Sequence, residues 1–281
     1  MQFDIVMPLT LFLVTLVSLF LNQKTEDKLK SRLEGEFGVR DVLLLVAAMV
    51  GMIVIIAFVK DIASPLLILF LFSYSTLLFT FGYVFSKNRW YVAVIAPIVF
   101  LTLFFFLRGT DIWKLYLVNI YGLIFAVLIV LYLAGLFSWK SVFYFAGIMT
   151  ALDIVLVLVT GTMVQAAQTT QKLELPVMVS LPIFPVLMER YAGGFMSLGL
   201  GDFFFAGLLA VHTFKKYGRK LALVSMVAMT VSFFVFLAVL LSLDPMPFPG
   251  TLMIICGWAV IVLPIEIRRR KPPQPAQNTI S

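Results

Sequence analysis

The sequence predicts an all-α polytopic membrane protein with nine transmembrane helices, the N-terminus outside and the C-terminus in the cytoplasm. Three observations carry this expectation. Of 281 residues, 62% are hydrophobic and only 12% charged, with a mean hydropathy of +1.07; a soluble domain carries roughly 25% charged residues. Apolar runs of the length that a hydrocarbon core of about 30 Å demands recur along the chain. Charged residues punctuate these runs rather than alternate within them. Cys256 is the single cysteine, so no intramolecular disulfide framework exists. The net charge of +7 comes from Lys and Arg that flank apolar runs, not from a face suited to nucleic acid.

The nine runs lie at 3–22, 41–59, 62–85, 91–107, 115–137, 141–164, 192–213, 221–243 and 250–267. The first lacks a basic leader and a small-residue cleavage site, so it reads as a retained helix and not a signal peptide. Lys60-Asp61 separates the second run from the third. Ser86-Lys87-Asn88-Arg89 separates the third from the fourth, and Lys215-Lys216 closes the seventh. Sixteen of the 21 Lys and Arg follow helices one, three, five, seven and nine, against five elsewhere. That bias sets the orientation. Residues 23–40 mix both signs, with Glu26 and Lys30 at i,i+4 spacing, and read as a solvated helical loop. In 165–191, the stretch from Pro176 to Pro185 is too short to span and too rich in proline for a helix. There Val177-Met178-Val179 reads as a short strand confined by prolines. Arg268-Arg269-Arg270-Lys271 is a stop-transfer cluster ahead of a disordered tail. The organisation is therefore a five-helix scaffold over 1–140, a four-helix catalytic half over 141–267, and a basic tail over 268–281.

Ionisable residues narrow the chemistry. Of fourteen acidic residues, only Asp153 and Asp202 lie deep inside apolar runs. Each is expected near the middle of its helix, 141–164 and 192–213. These helices are consecutive and antiparallel, so the two carboxyls are expected at nearly one depth. An aspartate at a helix centre costs about 2.5–3.5 kcal/mol to insert, and no Lys, Arg or His lies mid-span to neutralise either. Pairing the acids around one shared proton lowers that cost, because like charges about 3 Å apart cannot both persist in a dry site. One carboxyl then acts as general acid and the other as general base on a water. That is the machinery of aspartic proteolysis. The alternative is a proton-coupled transporter or channel using the pair as a relay. It calls for inverted repeats and a polar path, and neither is evident.

Two further features flank the acids. Gly199 and Gly201 lack Cβ atoms, so a second backbone, either a neighbouring helix or an extended substrate, can approach Asp202 closely. In Asp244-Pro245-Met246-Pro247-Phe248-Pro249-Gly250, three prolines within five residues exclude a regular helix. The segment is either a turn or an unwound stretch facing a water-accessible cavity.

Together, Asp153, the Gly199-Leu200-Gly201-Asp202 box and the proline motif before the last helix resemble the presenilin and signal peptide peptidase family of intramembrane aspartyl proteases. The resemblance covers 141–267 with the motifs in the family's order, and the nine crossings extend it over the chain. It implies that Asp153 and Asp202 activate the hydrolytic water. It implies that Gly199, Leu200 and Gly201 line the substrate path, and that Met246-Pro247-Phe248-Pro249 stands where the family has Pro-Ala-Leu-Pro. It also implies that Val177, Met178 and Val179 join a sheet with unwound substrate. The outside N-terminus and the compact length are most similar to archaeal members and to signal peptide peptidases with type II substrates. The implied partners are transmembrane helical peptides in the lipid bilayer of a prokaryotic, archaeal cell membrane. No cofactor or metal is implied, since water is the nucleophile. Three positions depart from the family pattern: Leu152 replaces a tyrosine, Phe248 a leucine and Ala206 a proline.

Other intramembrane proteases fail on inventory. A zinc enzyme needs His-Glu-x-x-His, yet His212 is the sole histidine. A serine enzyme of the rhomboid kind needs a Ser–His pair, and no Gly-x-Ser-x motif accompanies His212, which sits beside Lys215 and Lys216 and is expected at the membrane interface. Prepilin-type peptidases share Gly-x-Gly-Asp but have fewer helices and carry their aspartates nearer the cytoplasmic surface.

Overall fold

A computed structural model describes residues 2–30, 37–58, 63–87, 89–188, 193–243 and 247–270. Arg32, Glu34, Glu36, Lys60-Asp61, Asp244-Pro245-Met246 and the tail from Lys271 lie outside those residues. In chain order the helices are α1 (Val6–Lys30), α2 (Val39–Phe58), α3 (Ala63–Phe85), and α4 (Trp90–Ala93) running into α5 (Ile95–Leu107). A π-helical stretch at Ile112–Leu117 leads into α6 (Val118–Ala134). Next come α7 (Trp139–Ile154), continued by a π-helical stretch at Val155–Val159, and the short α8 (Thr162–Lys172). Strands β1 (Met178–Pro182) and β2 (Phe195–Gly199) precede α9 (Leu200–Tyr217), α10 (Arg219–Ser242) and α11 (Gly250–Arg270). Eight spans among the described residues are long and apolar enough to cross a bilayer, which makes the chain a helical, multi-pass membrane protein.

The seventh expected crossing, now α9, is not among those eight. Its eighteen residues carry Asp202, Lys215 and Lys216. It is nonetheless the hub of the molecule. Every residue from Phe203 to Thr213 is buried, and α1, α6, α7, α10 and α11 all pack on it. A helix that is apolar on every side is stable only when enclosed.

Three expected elements are redrawn. The run at 192–213 is not one helix: Phe195–Gly199 is strand, and the helix starts at Leu200. Gly193, Gly194, Gly199 and Gly201 disfavour helix there, while pairing with β1 rewards the extended form. The run at 141–164 ends as α-helix at Ile154, and Gly161, at φ +66°, turns the chain into α8. The mixed-charge segment after the first run is less of a loop than expected, since α1 continues to Lys30. His212 also departs from expectation. It is 3% exposed, with its ring nitrogens 3.0 Å from the Leu208 carbonyl and 2.7 Å from the Phe137 carbonyl. It belongs to the core because α9 stays enclosed for almost its full length.

The first helices hold the strand-bearing segment in place. Tyr74 stacks on Phe125 at 3.9 Å and donates its hydroxyl to the Pro176 carbonyl at 3.1 Å. Trp113, fully buried, donates Nε1–H to the Glu174 carbonyl at 3.0 Å. Gln2 accepts the N–H groups of Leu187 and Met188 on Oε1, and Asp4 accepts that of Phe184. Loop backbone that would otherwise be orphaned is thereby satisfied, as a low-dielectric surround requires.

Candidate active site

β1 and β2 pair antiparallel, with Met178 opposite Gly199, Ser180 opposite Ser197 and Pro182 opposite Phe195. Backbone bonds from Leu200 N–H to the Val177 carbonyl and from Ile183 N–H to the Gly194 carbonyl bracket the ladder. In such a ladder hydrogen-bonded and non-bonded pairs alternate. Ser180 and Ser197 therefore form a non-bonded pair, with their hydroxyls 2.6 Å apart. The outer edge of β1 is occupied: Ser180 N–H donates to Asn119 Oδ1 of α6 at 2.7 Å. The outer edge of β2 carries the backbone groups of Phe195, Ser197 and Gly199. No third strand pairs with it among the described residues.

Both aspartates lie beside that edge. Asp202 is in the first turn of α9 and Asp153 one residue before the end of α7. The expectation that each sits mid-helix is corrected: Asp202 lies in the first turn of α9, and Asp153 lies where α7 gives way to its π-helical continuation. The Asp202 carboxylate lies beside Gly199, where an added Cβ would be 3.5 Å from Oδ2. Thr251, in the first turn of α11, donates its hydroxyl to Asp153 Oδ2 at 2.6 Å and its N–H to the same atom at 3.3 Å. Asp202 rests against the preceding residue. A Cβ added to Gly250 would lie 2.5 Å from Oδ1 and 2.7 Å from Cγ of Asp202. The two carboxylates thus meet consecutive residues at the start of α11. That helix N-terminus carries partial positive charge, which favours carboxylates.

A cavity of about 510 Å³ opens on this junction, lined by both aspartates, Met178, Gly199, Pro247, Phe248 and Gly250. Phe248 stacks on Phe236 with ring centroids 6.0 Å apart. Apolar residues of α10 and α11, including Phe233, Leu237 and Met253, form one wall. Gln168 and Gln171 of α8 supply amide groups at the rim, and among the described residues no Lys or Arg lines the cavity. A second cavity of about 470 Å³ shares Gln171, Met178 and Ser197 and extends towards Lys114 and Glu174, which pair at 3.3 Å.

Of the residues singled out in the sequence, Asp153, Asp202, Gly199, Met178, Pro247 and Phe248 come together around this space. Others do not. Val179 is fully buried, and Leu200 and Pro249 are buried. Val177 borders the second cavity, and Gly201 is exposed away from the first. Met246 lies outside the described residues. Alternation along a strand explains Val179, which points to α6, where a Cβ on Gly122 would lie 3.1 Å from its Cγ2. Sequence reasoning missed Gly250, Thr251, Gln168, Gln171 and Asn119. A glycine–threonine pair just after a proline cluster is an ordinary helix start, and only the fold shows what it touches. Among the described residues, no group of three or more His, Cys, Asp or Glu gathers as a metal site would require. No protein-family model matches this chain, and a search of curated proteins finds no match.

Proposed function

We propose that the protein is an intramembrane aspartyl protease that hydrolyses peptide bonds within transmembrane helices. The observation that carries this reading is the convergence of the two membrane-embedded aspartates on one cavity, with their carboxylates against consecutive residues of α11. The cavity supplies what hydrolysis of a helix requires. A helical peptide bond is shielded because its carbonyl is already bonded, so the substrate must be unwound for several residues. Its freed N–H and C=O groups then need partners. The outer edge of β2, which no third strand among the described residues takes up, offers them in register beside the acids, the mode in which extended peptides add to an exposed strand. One carboxyl takes a proton from water as it attacks the carbonyl carbon, and the other protonates the departing amide nitrogen. The pair then exchanges roles for the next turnover.

Nine crossings, with α9 as the seventh, and an N-terminus outside complete the reading. With it go type II or signal-peptide-like substrates and a place in a prokaryotic cell membrane. The test is cleavage of a transmembrane peptide by the purified protein in lipid vesicles, with block by a transition-state-type aspartyl inhibitor. Asp153→Ala and Asp202→Ala should each reduce cleavage to background while the protein remains monodisperse. Retained cleavage in either variant rejects the dyad.

A further inference from the structure

Thr251 holds one of the two acids, and among the described residues no other side chain is recorded donating to Asp153. Thr251 is 4% exposed and Asp153 is 8% exposed, so both partners of the contact are buried. Both donors of Thr251 converge on a single oxygen, Oδ2 of Asp153, at 2.6 Å from the hydroxyl and 3.3 Å from the N–H. The N–H belongs to the first turn of α11, one of the groups that lack an intrahelical partner. Asp153 therefore caps a helix other than its own. The geometry points to Thr251 as the positioning residue of the hydrolytic dyad: it holds Asp153 by Oδ2 and leaves Oδ1 as the oxygen available to the reaction. This inference rests on the protease reading and adds to it a residue that lies outside the motifs carrying the resemblance.

The physical reason is rotational. A carboxylate at the end of α7 turns about its Cβ–Cγ bond, and the π-helical stretch that follows Ile154 leaves the backbone there without ideal helical support. Two donors on one oxygen stop that rotation. Because the neighbouring residue, Gly250, lies against Asp202, the first turn of α11 sets the position of one acid relative to the other. Leu152, standing where the family has a tyrosine, provides no hydroxyl from α7. Thr251 supplies one from α11.

The experiment compares Thr251→Val, which keeps shape and N–H but loses the hydroxyl, with Thr251→Ser, which keeps the hydroxyl. Cleavage of a transmembrane peptide in vesicles is measured as kcat and KM. Thr251→Val should lower kcat about 10²-fold, the scale of a small misplacement of a catalytic group, with KM within about twofold. Thr251→Ser should recover kcat to within about threefold. Infrared spectra without substrate supply a second readout, with the Asp153 carboxyl band identified by its loss in Asp153→Asn. That band should shift in Thr251→Val and return in Thr251→Ser. Wild-type cleavage with an unaffected Thr251→Val, or equal loss in both variants, overturns the positioning role and leaves the protease reading standing. An unshifted band overturns it even if the wild type proves inactive. A shifted band with an inactive wild type rejects the protease reading, and with it a role in hydrolysis.

Discussion

Gly250 illustrates how little slack surrounds the acids. A methyl group there would fall 2.5 Å from Asp202 Oδ1 and 2.9 Å from Oδ2, closer than any ordinary contact, and both atoms belong to a group whose position matters. Gly250→Ala must therefore displace the Asp202 carboxyl by something like 1 Å, and a displacement of that size costs a catalytic group about 10²-fold in rate. The expected result is a comparable fall in kcat for transmembrane-peptide cleavage, with the thermal midpoint of the detergent-solubilised protein within a few degrees of wild type. Wild-type cleavage by Gly250→Ala would mean that Asp202 can reach its working position by another route. The same side-chain geometry explains why the acids were legible in the sequence and their partners were not. Two lone carboxylates in apolar runs are conspicuous, because each costs about 2.5–3.5 kcal/mol to insert. A threonine and a glycine at a helix start are tolerated anywhere.

Among the elements, strand β1 shows what local sequence reveals and what it hides. Prolines at 176, 182 and 185 announce an extended segment, and a strand does form at Met178–Pro182. Its partner was hidden. Phe195–Gly199 is an apolar stretch too short for periodicity to separate strand from buried helix, and what decides between them is a pairing with Met178–Pro182, earlier in the chain. α8 was hidden for a different reason. With glutamines at 165, 168 and 171 and few apolar residues, it carries no membrane signal and is shorter than an isolated helix can sustain. It forms because it packs against α2. The sheet in turn depends on α6, where Asn119 Oδ1 accepts Ser180 N–H at 2.7 Å while Nδ2 donates to the Leu115 carbonyl at 2.8 Å. Asn119→Leu leaves the Ser180 N–H without its acceptor, at a cost of about 1–3 kcal/mol. Hydrogen exchange at Ser180 should accelerate, and the thermal midpoint should fall. Unchanged exchange at that amide would show that the strand edge finds another acceptor.

Across the whole molecule, polar contacts mark two opposite ends. At one, Lys215 donates to the Ala134 carbonyl and pairs with Glu26 at 3.3 Å. There too Lys216 pairs with Glu266 at 2.8 Å and lies over the Trp139 ring, and Tyr217 also donates to Glu266. At the other end, Glu174 accepts Gly109 N–H and pairs with Lys114 beside the sheet. Trp139 and Lys215 are the kind of residues that sit at a bilayer surface, so depth can be counted from them. Asp153 lies fourteen residues beyond Trp139, and Asp202 thirteen before Lys215. At 1.5 Å per residue, both acids are about 20 Å from that surface. The hydrocarbon core is about 30 Å thick, so the dyad lies some 5 Å past the mid-plane, on the side of the sheet. Water then crosses about 10 Å rather than half the membrane. A substrate helix bound alongside should be cut about three residues from its own centre, in the half nearer the sheet. With the N-terminus outside, as proposed from the Lys and Arg bias, that half is the outer one, and for a type II substrate it is the C-terminal half of the transmembrane segment. Mass spectrometry of the products from a 20-residue transmembrane substrate reads this directly. Cleavage at the centre or in the N-terminal half would contradict either the depth or the orientation. Labelling of Lys140→Cys in a Cys256→Ser background with a membrane-impermeant thiol reagent tells which. Intact cells should leave position 140 unlabelled, because the orientation that puts the cut in the outer half puts this connection in the cytoplasm.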